Sequence, residues 1–370
     1  MTVQRLQQCG ETVFSTMTAL ATKHNAINLG QGFPDTDGPA RMLEIAQEQI
    51  ATGHNQYAPL RGVPQLLDAL SAHYGVPTGH LVVTAGATEA ITATVLGLVE
   101  PGQEVIVLEP YYDAYAAAIA LADATRVPVP LTPTAGTWDL DVDAVRAAVT
   151  DKTAMIIINS PHNPTGSVFS RPALDALAEL CVEHDLLILA DEVYEDLVFH
   201  GSFTSVRDLP GMAERTIKIS SAAKSFNATG WKTGWAIATP ELLDGVIKAK
   251  QFMSFVSTTP FQPAVAHALT HEQQWQTNMV TGLEECRDIL AEGLASLGYE
   301  VFATPGTYYL VADVHEDAIE FCTRLPAERG VATIPLSPFT DNPEPWKNFV
   351  RFAFCKRPEV IREAVKRLTA

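Results

Sequence analysis

Positive charge is scarce in this sequence: 25 lysines and arginines stand against 43 aspartates and glutamates, a formal net charge of −18. That balance argues against nonspecific binding to nucleic acid or to an anionic membrane surface, both of which need clustered cations. It leaves small acids open as ligands, because short-range contacts in a pocket are screened less than distant surface charge. Long apolar runs are missing too. No stretch reaches the roughly 18 unbroken apolar residues of a membrane span. The opening MTVQRLQQCGETVF lacks the basic flank and apolar run of an export signal. The expectation is a soluble, cytoplasmic protein. Five cysteines, Cys9, Cys181, Cys286, Cys322 and Cys355, lie far apart, with neither a CxxC pair nor a ligand cluster. This pattern suits a reducing compartment and gives no metal site. Internal repeats and low-complexity linkers are also lacking, which excludes a solenoid and a string of loosely tethered beads.

What is present is apolar material: 47% of the 370 residues are hydrophobic and 18% charged, enough for a large core divided between one large and one smaller unit. Residues 6 to 22 carry Leu6, Val13, Phe14, Met17 and Leu20 at helical spacing, and NLGQGFPDTDGP from Asn28 to Pro39 reads as an irregular connection. Seven short apolar runs follow: LVVT (81–84), VIVL (105–108), VPVPL (127–131), AMIII (154–158), LLILA (186–190), TIKIS (216–220) and GWAIA (234–238). Helical stretches such as Thr88 to Leu98, Val142 to Val149 and Ala173 to Val182 lie between them. Alternation of this kind predicts an α/β fold, and continuous rather than alternating hydrophobicity predicts a mostly parallel sheet covered on both faces. The large unit is expected over 40–245, and a smaller α+β unit over 1–39 and 246–370.

Several candidate residues sit just past these runs. SSAAKSFNATGWKTGW places Lys224 beyond TIKIS, with Ser221 as a hydroxyl donor and with Gly230 and Gly234 permitting close backbone approach to a bulky ligand. A lysine in such a place is commonly only a solvated charge. In LADEVYEDL, Asp191 and Glu192 follow LLILA, and Tyr194 lies three residues past Asp191. One acid at a strand end commonly caps the next segment, yet ligands of α/β proteins gather at those same ends. AGATEA (85–90) offers backbone N–H groups at Gly86, Ala87 and Thr88, with the Thr88 hydroxyl, as a phosphate cradle opening a helix. NSPHNPTG (159–166) and EPYYDAY (109–115) follow two further runs, the latter with aromatics able to stack on a planar ring. Their joint occurrence is harder to ascribe to turn composition than any one alone.

With these motifs in order, NLGQGFPD, HNPTG, DEVYEDLVF, SSAAKSFNATGWKTGW and FVRFAFCKR, the whole chain resembles the fold-type-I, class-I pyridoxal-phosphate aminotransferases. The resemblance implies pyridoxal 5'-phosphate as cofactor, with Lys224 as the cofactor-binding lysine and Asp191 as partner of the pyridine nitrogen. Tyr194 and Asn163 match the contacts to the ring hydroxyl and Tyr112 the stacking aromatic. Gly86, Ala87, Thr88 and Ser221 match the phosphate cup. Tyr57 matches a tyrosine that reaches the phosphate of the neighbouring subunit, which implies a homodimer with composite sites. Arg351 matches the arginine that grips the substrate α-carboxylate, assisted by the backbone near Gly32 and by Asn163. Its planar fork suits both carboxylate oxygens. Many members carry arginine eight residues past the cofactor lysine, whereas this chain has Lys232, which keeps the charge and loses the fork.

Within that family the resemblance is to the N-succinyldiaminopimelate branch of lysine biosynthesis. This implies amino-group exchange with glutamate and 2-oxoglutarate. Kynurenine-, glutamine- and methionine-type aminotransferases share the GWK pattern, and a carbon–sulfur β-lyase would use the same lysine. No residue in the sequence by itself reads the distal succinyl group.

Overall fold

The computed structural model describes residues 2–7, 10, 12–134 and 136–370. Cys9 lies outside the described residues. Each of the seven apolar runs forms a strand: β1 (Leu81–Ala85), β2 (Glu104–Glu109), β3 (Thr125–Pro130), β4 (Thr153–Asn159), β5 (Leu187–Asp191), β6 (Thr216–Ser221) and β7 (Thr233–Ile237). They make one sheet in the order β1-β7-β6-β5-β4-β2-β3. β7 is antiparallel to both neighbours, and the pairs β6–β5, β5–β4, β4–β2 and β2–β3 are parallel.

The strands read as unbroken apolar runs because successive side chains enter two different cores. Val105, Val107, Met155, Ile157, Leu189, Ile217 and Ile219 pack on one side with Ala90, Ile91 and Val95 of the helix Gly86–Leu98. Ile106, Leu108, Ile156, Ile158 and Ile188 pack on the other with Leu174, Leu177 and Cys181 of the helix Arg171–Glu183. The two-residue alternation of a strand distributes them in this way.

The helix Pro240–Gln251 runs across residue 245, and its Leu243 and Val246 enter the core that covers the large sheet. Ala264, Val265, Ala268 and Leu269 of the helix Gln262–His271 pack with Leu81, Val83, Trp235 and Ile237 at the β1 edge. Packing around the large sheet thus continues past 245 to His271, because this edge needs an apolar cover that the preceding helices do not complete.

The remaining chain builds a four-stranded sheet in the order Glu300–Val301, Tyr309–Asp313, Phe349–Ala353, Ile334–Pro335. The helices Gln273–Ser296, Ala318–Arg329 and Pro358–Thr369 supply Leu290, Leu294, Phe321, Ile361 and Leu368 to its core. The N-terminal part joins this unit: Met17 of the helix Val13–His24 enters the same core, and Ile27–Asn28 pairs with Val331–Ala332. Tyr194 and Leu197 of the large unit share it, so the two units pack directly. Among the described residues no helix is long and apolar enough to cross a membrane.

Candidate active site

A cavity of about 520 Å³ opens at the carboxyl ends of the parallel strands, where α/β sheets place ligands. Its lining takes one contribution after another from those ends: Gly86, Ala87 and Thr88 after β1, Tyr112 after β2, Asn163 after β4, Asp191 and Tyr194 at and after β5, and Ser221 and Lys224 at and after β6. Lys232 enters at the start of the antiparallel β7, which brings its N-terminal end to the same edge. Gly32 and Phe14 arrive from the N-terminal segment, and Tyr309 from the small sheet.

Register decides which acid faces the cavity. Asn159 of β4 lies opposite Asp191 of β5, and Asn159 Nδ2 donates to the Asp191 carbonyl at 2.7 Å. The Asp191 carboxylate accepts from Tyr115 Oη at 2.6 Å and from the Val193 amide at 3.4 Å. It is 4% exposed, and burial pushes its pKa up to about 6 against the opposing pull of Tyr115, Val193 and Lys224. Glu192 does not reach the cavity. It pairs with the buried Lys218 at 2.8 Å and accepts from Ser205 Oγ at 2.7 Å and from the Val206 amide at 2.9 Å. Lys218 also meets Glu195 at 2.6 Å, and Glu195 accepts from Tyr74 Oη at 2.6 Å. Burial opposes the charge of Lys218, but the two glutamates together hold its pKa above the usual lysine range. This ion cluster clamps both ends of the 192–195 turn that presents Asp191 and Tyr194.

Lys224 lies on the short helix Ala222–Ser225, its Nζ 2.7 Å from Tyr308 Oη and 3.5 Å from the Gly32 carbonyl. Tyr194 Oη donates to Tyr309 Oη at 3.3 Å. Burial raises the pKa of Tyr112, and the Thr88 hydroxyl beside it works in the opposite direction. The start of the helix Gly86–Leu98 has no side-chain cap, and Gly86 adopts φ +76°. Glu89 reaches back to the Ala85 amide at 2.6 Å. A Cβ on Gly86 would stand 3.2 Å from Lys232 Nζ, so the lysine charge adjoins the positive end of the helix. A Cβ on Gly234 would stand 2.5 Å from the Gly86 carbonyl carbon, so this glycine lets β7 approach the helix start. Gly230 has no protein atom within 4 Å of its Cβ position, and neither glycine is among the residues lining the cavity.

Arg351, on the small sheet, is 0% exposed. Its Nη1 donates to Asn163 Oδ1 at 2.9 Å and its Nη2 to the Gly30 carbonyl at 2.6 Å, while buried Nε has no partner. The Gly30 carbonyl is thus the backbone partner of Arg351 itself, while Gly32 lines the cavity. The guanidinium lies 4.0 Å over the Tyr309 ring, directly behind two residues that line the cavity. Tyr57 is 81% exposed, outside the cavity, with its ring edge-on to Phe255.

Sequence reasoning missed Asn159, Tyr115, Tyr308 and Tyr309. Tyr115 was discoverable in EPYYDAY, one helical turn past Tyr112. Tyr308 and Tyr309 carried no such signal, since only the approach of the two units brings them to Lys224.

Three unsatisfied features converge here. Among the described residues Asp191 has no cation within salt-bridge distance, Arg351 has no carboxylate, and the helix start has no side-chain cap. A ligand carrying a protonated ring nitrogen, a phosphate and a carboxylated amine would satisfy them together.

The chain matches the family model described as aminotransferase class I and II over residues 24–368. It is similar to a Mycobacterium tuberculosis protein named as a probable N-succinyldiaminopimelate aminotransferase, 50% identical over 100% of this chain and 98% of that one. The solved structure of N-succinyldiaminopimelate aminotransferase from Mycobacterium tuberculosis gives a TM-score of 0.98 at 51% identity, covering 100% of this chain and 99% of that chain. Methionine aminotransferase of Escherichia coli is 37% identical over 98% of this chain and 97% of that protein. Kynurenine–oxoglutarate transaminase 3 of Mus musculus is 33% identical over 98% and 88%.

Proposed function

The chain belongs to the class I and II aminotransferases and is a pyridoxal-phosphate enzyme, and we propose that it exchanges an amino group between N-succinyl-L,L-2,6-diaminopimelate and the glutamate/2-oxoglutarate pair. The observation that carries the chemistry is that Lys224 and a buried acid lacking its cation line one cavity, with a buried arginine lacking its anion directly behind the lining residues Asn163 and Tyr309. Identity of about half the residues with the Mycobacterium tuberculosis protein over both full lengths supports the choice of substrate.

In this reading Lys224 holds the cofactor covalently through Nζ. Gly86, Ala87, Thr88, Ser221 and Lys232 receive its phosphate, and Tyr112 its ring face. Asn163 and Tyr194 face the ring hydroxyl and Asp191 the ring nitrogen. Bound pyridoxal phosphate supplies an electron sink for the pair left when Cα loses its proton. Asp191 sustains that sink by keeping a positive partner at the ring nitrogen. Arg351 exchanges the neutral oxygens of Gly30 and Asn163 for the substrate α-carboxylate, a charge-assisted contact that its fork makes twice. With the carboxylate fixed, Cα would be oriented toward Lys224, whose Nζ, released as a free amine when the substrate amino group takes its place on the cofactor, would take the proton.

The proposal includes a homodimer in which Tyr57 completes the partner subunit's phosphate site. Support comes from its exposure, from its edge-on contact with Phe255, 42% exposed, and from the exposure of Phe252 and Met253 in the segment leading to Phe255, at 85% and 44%. An apolar group of that kind is unusual on a monomer's free surface.

Two measurements test the reading. Borohydride reduction and peptide mass mapping should find the cofactor on Lys224. With glutamate as donor, kcat/KM should rank N-succinyl-2-amino-6-oxopimelate above the oxo acids derived from kynurenine, methionine and glutamine. No turnover of the succinylated acid beside efficient use of a competitor would remove the substrate while leaving the Lys224 chemistry in place.

A further inference from the structure

We propose that Tyr308 is a positioning residue of this reaction, its hydroxyl serving as the fixed acceptor that parks the free Lys224 amine between proton transfers. The inference rests on the reading of Lys224 as proton carrier and extends it to a residue that stands behind the cavity lining and meets Lys224.

The direction of the contact follows from a count of hydrogens. A tyrosine hydroxyl has one proton and two lone pairs. Tyr308 gives that proton to the Gly32 carbonyl at 2.6 Å, so toward Lys224 Nζ at 2.7 Å it can only accept. The direct path from Nζ to the Gly32 carbonyl is 3.5 Å, and Tyr308 is accordingly the near partner. Tyr308 is 1% exposed, its ring edge-on to Tyr194 with centroids 5.4 Å apart and against Tyr309 at 4.8 Å. Burial, with Tyr194 and Tyr309 alongside, raises its pKa and keeps the phenol neutral. The oxygen is therefore fixed in place, in charge state and in hydrogen-bond direction.

A lysine amine on four methylenes samples many rotamers unless something holds it. A fixed acceptor on one side restricts that search and favours an amine that has just gained a proton, because an ammonium must donate to a neighbour when water is scarce. The same hydroxyl ties the Gly32 loop to the lysine. The segment that carries Gly30, an Arg351 partner, is thus anchored near the proton carrier.

Tyr308→Phe keeps the ring and removes only the acceptor. We expect the variant to fold and to retain the cofactor on Lys224. Loss of one charge-assisted hydrogen bond should slow single-turnover Cα proton removal by about 10- to 100-fold. The Cα-deuterium isotope effect should rise while KM stays nearly constant. In cofactor-free protein, reductive methylation scored by peptide mass should label Lys224 severalfold faster relative to Lys232 than in the parent protein, because the amine is no longer held. Difluorotyrosine at position 308, a weaker acceptor of the same shape, should shift both readouts in the same direction by less, and it serves if the phenylalanine variant does not fold. An unchanged Lys224 to Lys232 labelling ratio overturns the positioning role whatever the rate does, as does a slower rate with an unchanged isotope effect. Cofactor found on another lysine would instead overturn the parent reading, and the two failures are distinguishable because the labelling needs neither cofactor nor turnover.

Discussion

Asp191 and Arg351 carry opposite charges, both are buried, and among the described residues neither has its counter-ion. For Asp191 the consequence is a pH-dependent strain in the cofactor-free protein. Its pKa rises on folding from 3.8 to about 6, so the native state binds the proton more tightly than the unfolded state does. The cost of the buried charge is absent below about pH 4 and complete above about pH 6, which for a shift of this size is about 2 to 3 kcal/mol. Asp191→Asn should therefore stabilise the cofactor-free protein at pH 7 by that order and have a shrinking effect toward pH 4, as read by urea titration at several pH values. The same variant should lose Cα proton transfer severely in single-turnover spectra. Arg351→Met should act differently on the fold. It leaves the Asn163 Oδ1 and Gly30 carbonyl acceptors without their donor, which should lower stability by about 1 to 3 kcal/mol, while kcat/KM for every amino acid should fall by roughly 30- to 1,000-fold with the carboxylate contact gone. A uniform loss across substrates marks the α-carboxylate; a loss confined to one substrate would point to a distal group.

At the scale of elements, the site depends on how closely β7 approaches the helix Gly86–Leu98. A methyl on Gly234 would meet backbone atoms of Gly86 and Ala87 at 2.5 and 2.7 Å, and backbone cannot yield as a side chain does. Gly234→Ala should lower stability by about 1 to 3 kcal/mol and weaken cofactor retention, because the amides of the phosphate cradle are displaced. Gly230→Ala, four residues earlier and in open space, should change neither by a comparable amount. Equilibrium dialysis of the cofactor with paired thermal melts makes the comparison. If Gly230→Ala had the larger effect, the role assigned to β7 would be wrong. The Lys218, Glu192, Glu195 and Tyr74 cluster acts at this scale as well, since it fixes a turn rather than one side chain.

For the whole molecule, the exposed Tyr57, Phe252, Met253 and Phe255 group predicts that activity and cofactor retention decline together on dilution, with light scattering reporting the change from dimer to monomer. Phe252→Asp should bring the transition to higher protein concentration by placing a charge in an apolar contact. A fully active monomer at every concentration would remove the cross-subunit role of Tyr57.

All seven strands of the large sheet, their mostly parallel arrangement and the crossover helices were legible in the sequence, because a strand covered on both faces needs an unbroken apolar run and its crossover needs a helix. Lys224, Asp191 and Tyr194 were legible for a related reason: they stand within a few residues of strand ends, and parallel topology collects those ends along one edge. Tertiary structure alone decided the rest. Strand pleating turned Asp191 to the cavity and left Glu192 to Lys218, a choice that adjacency in sequence cannot make. Packing of the small unit against the large one brought Tyr308 to Lys224 across 84 residues and Arg351 to Asn163 across 188. Nothing local marks such contacts, because their energy belongs to the interface between two cores and not to either segment.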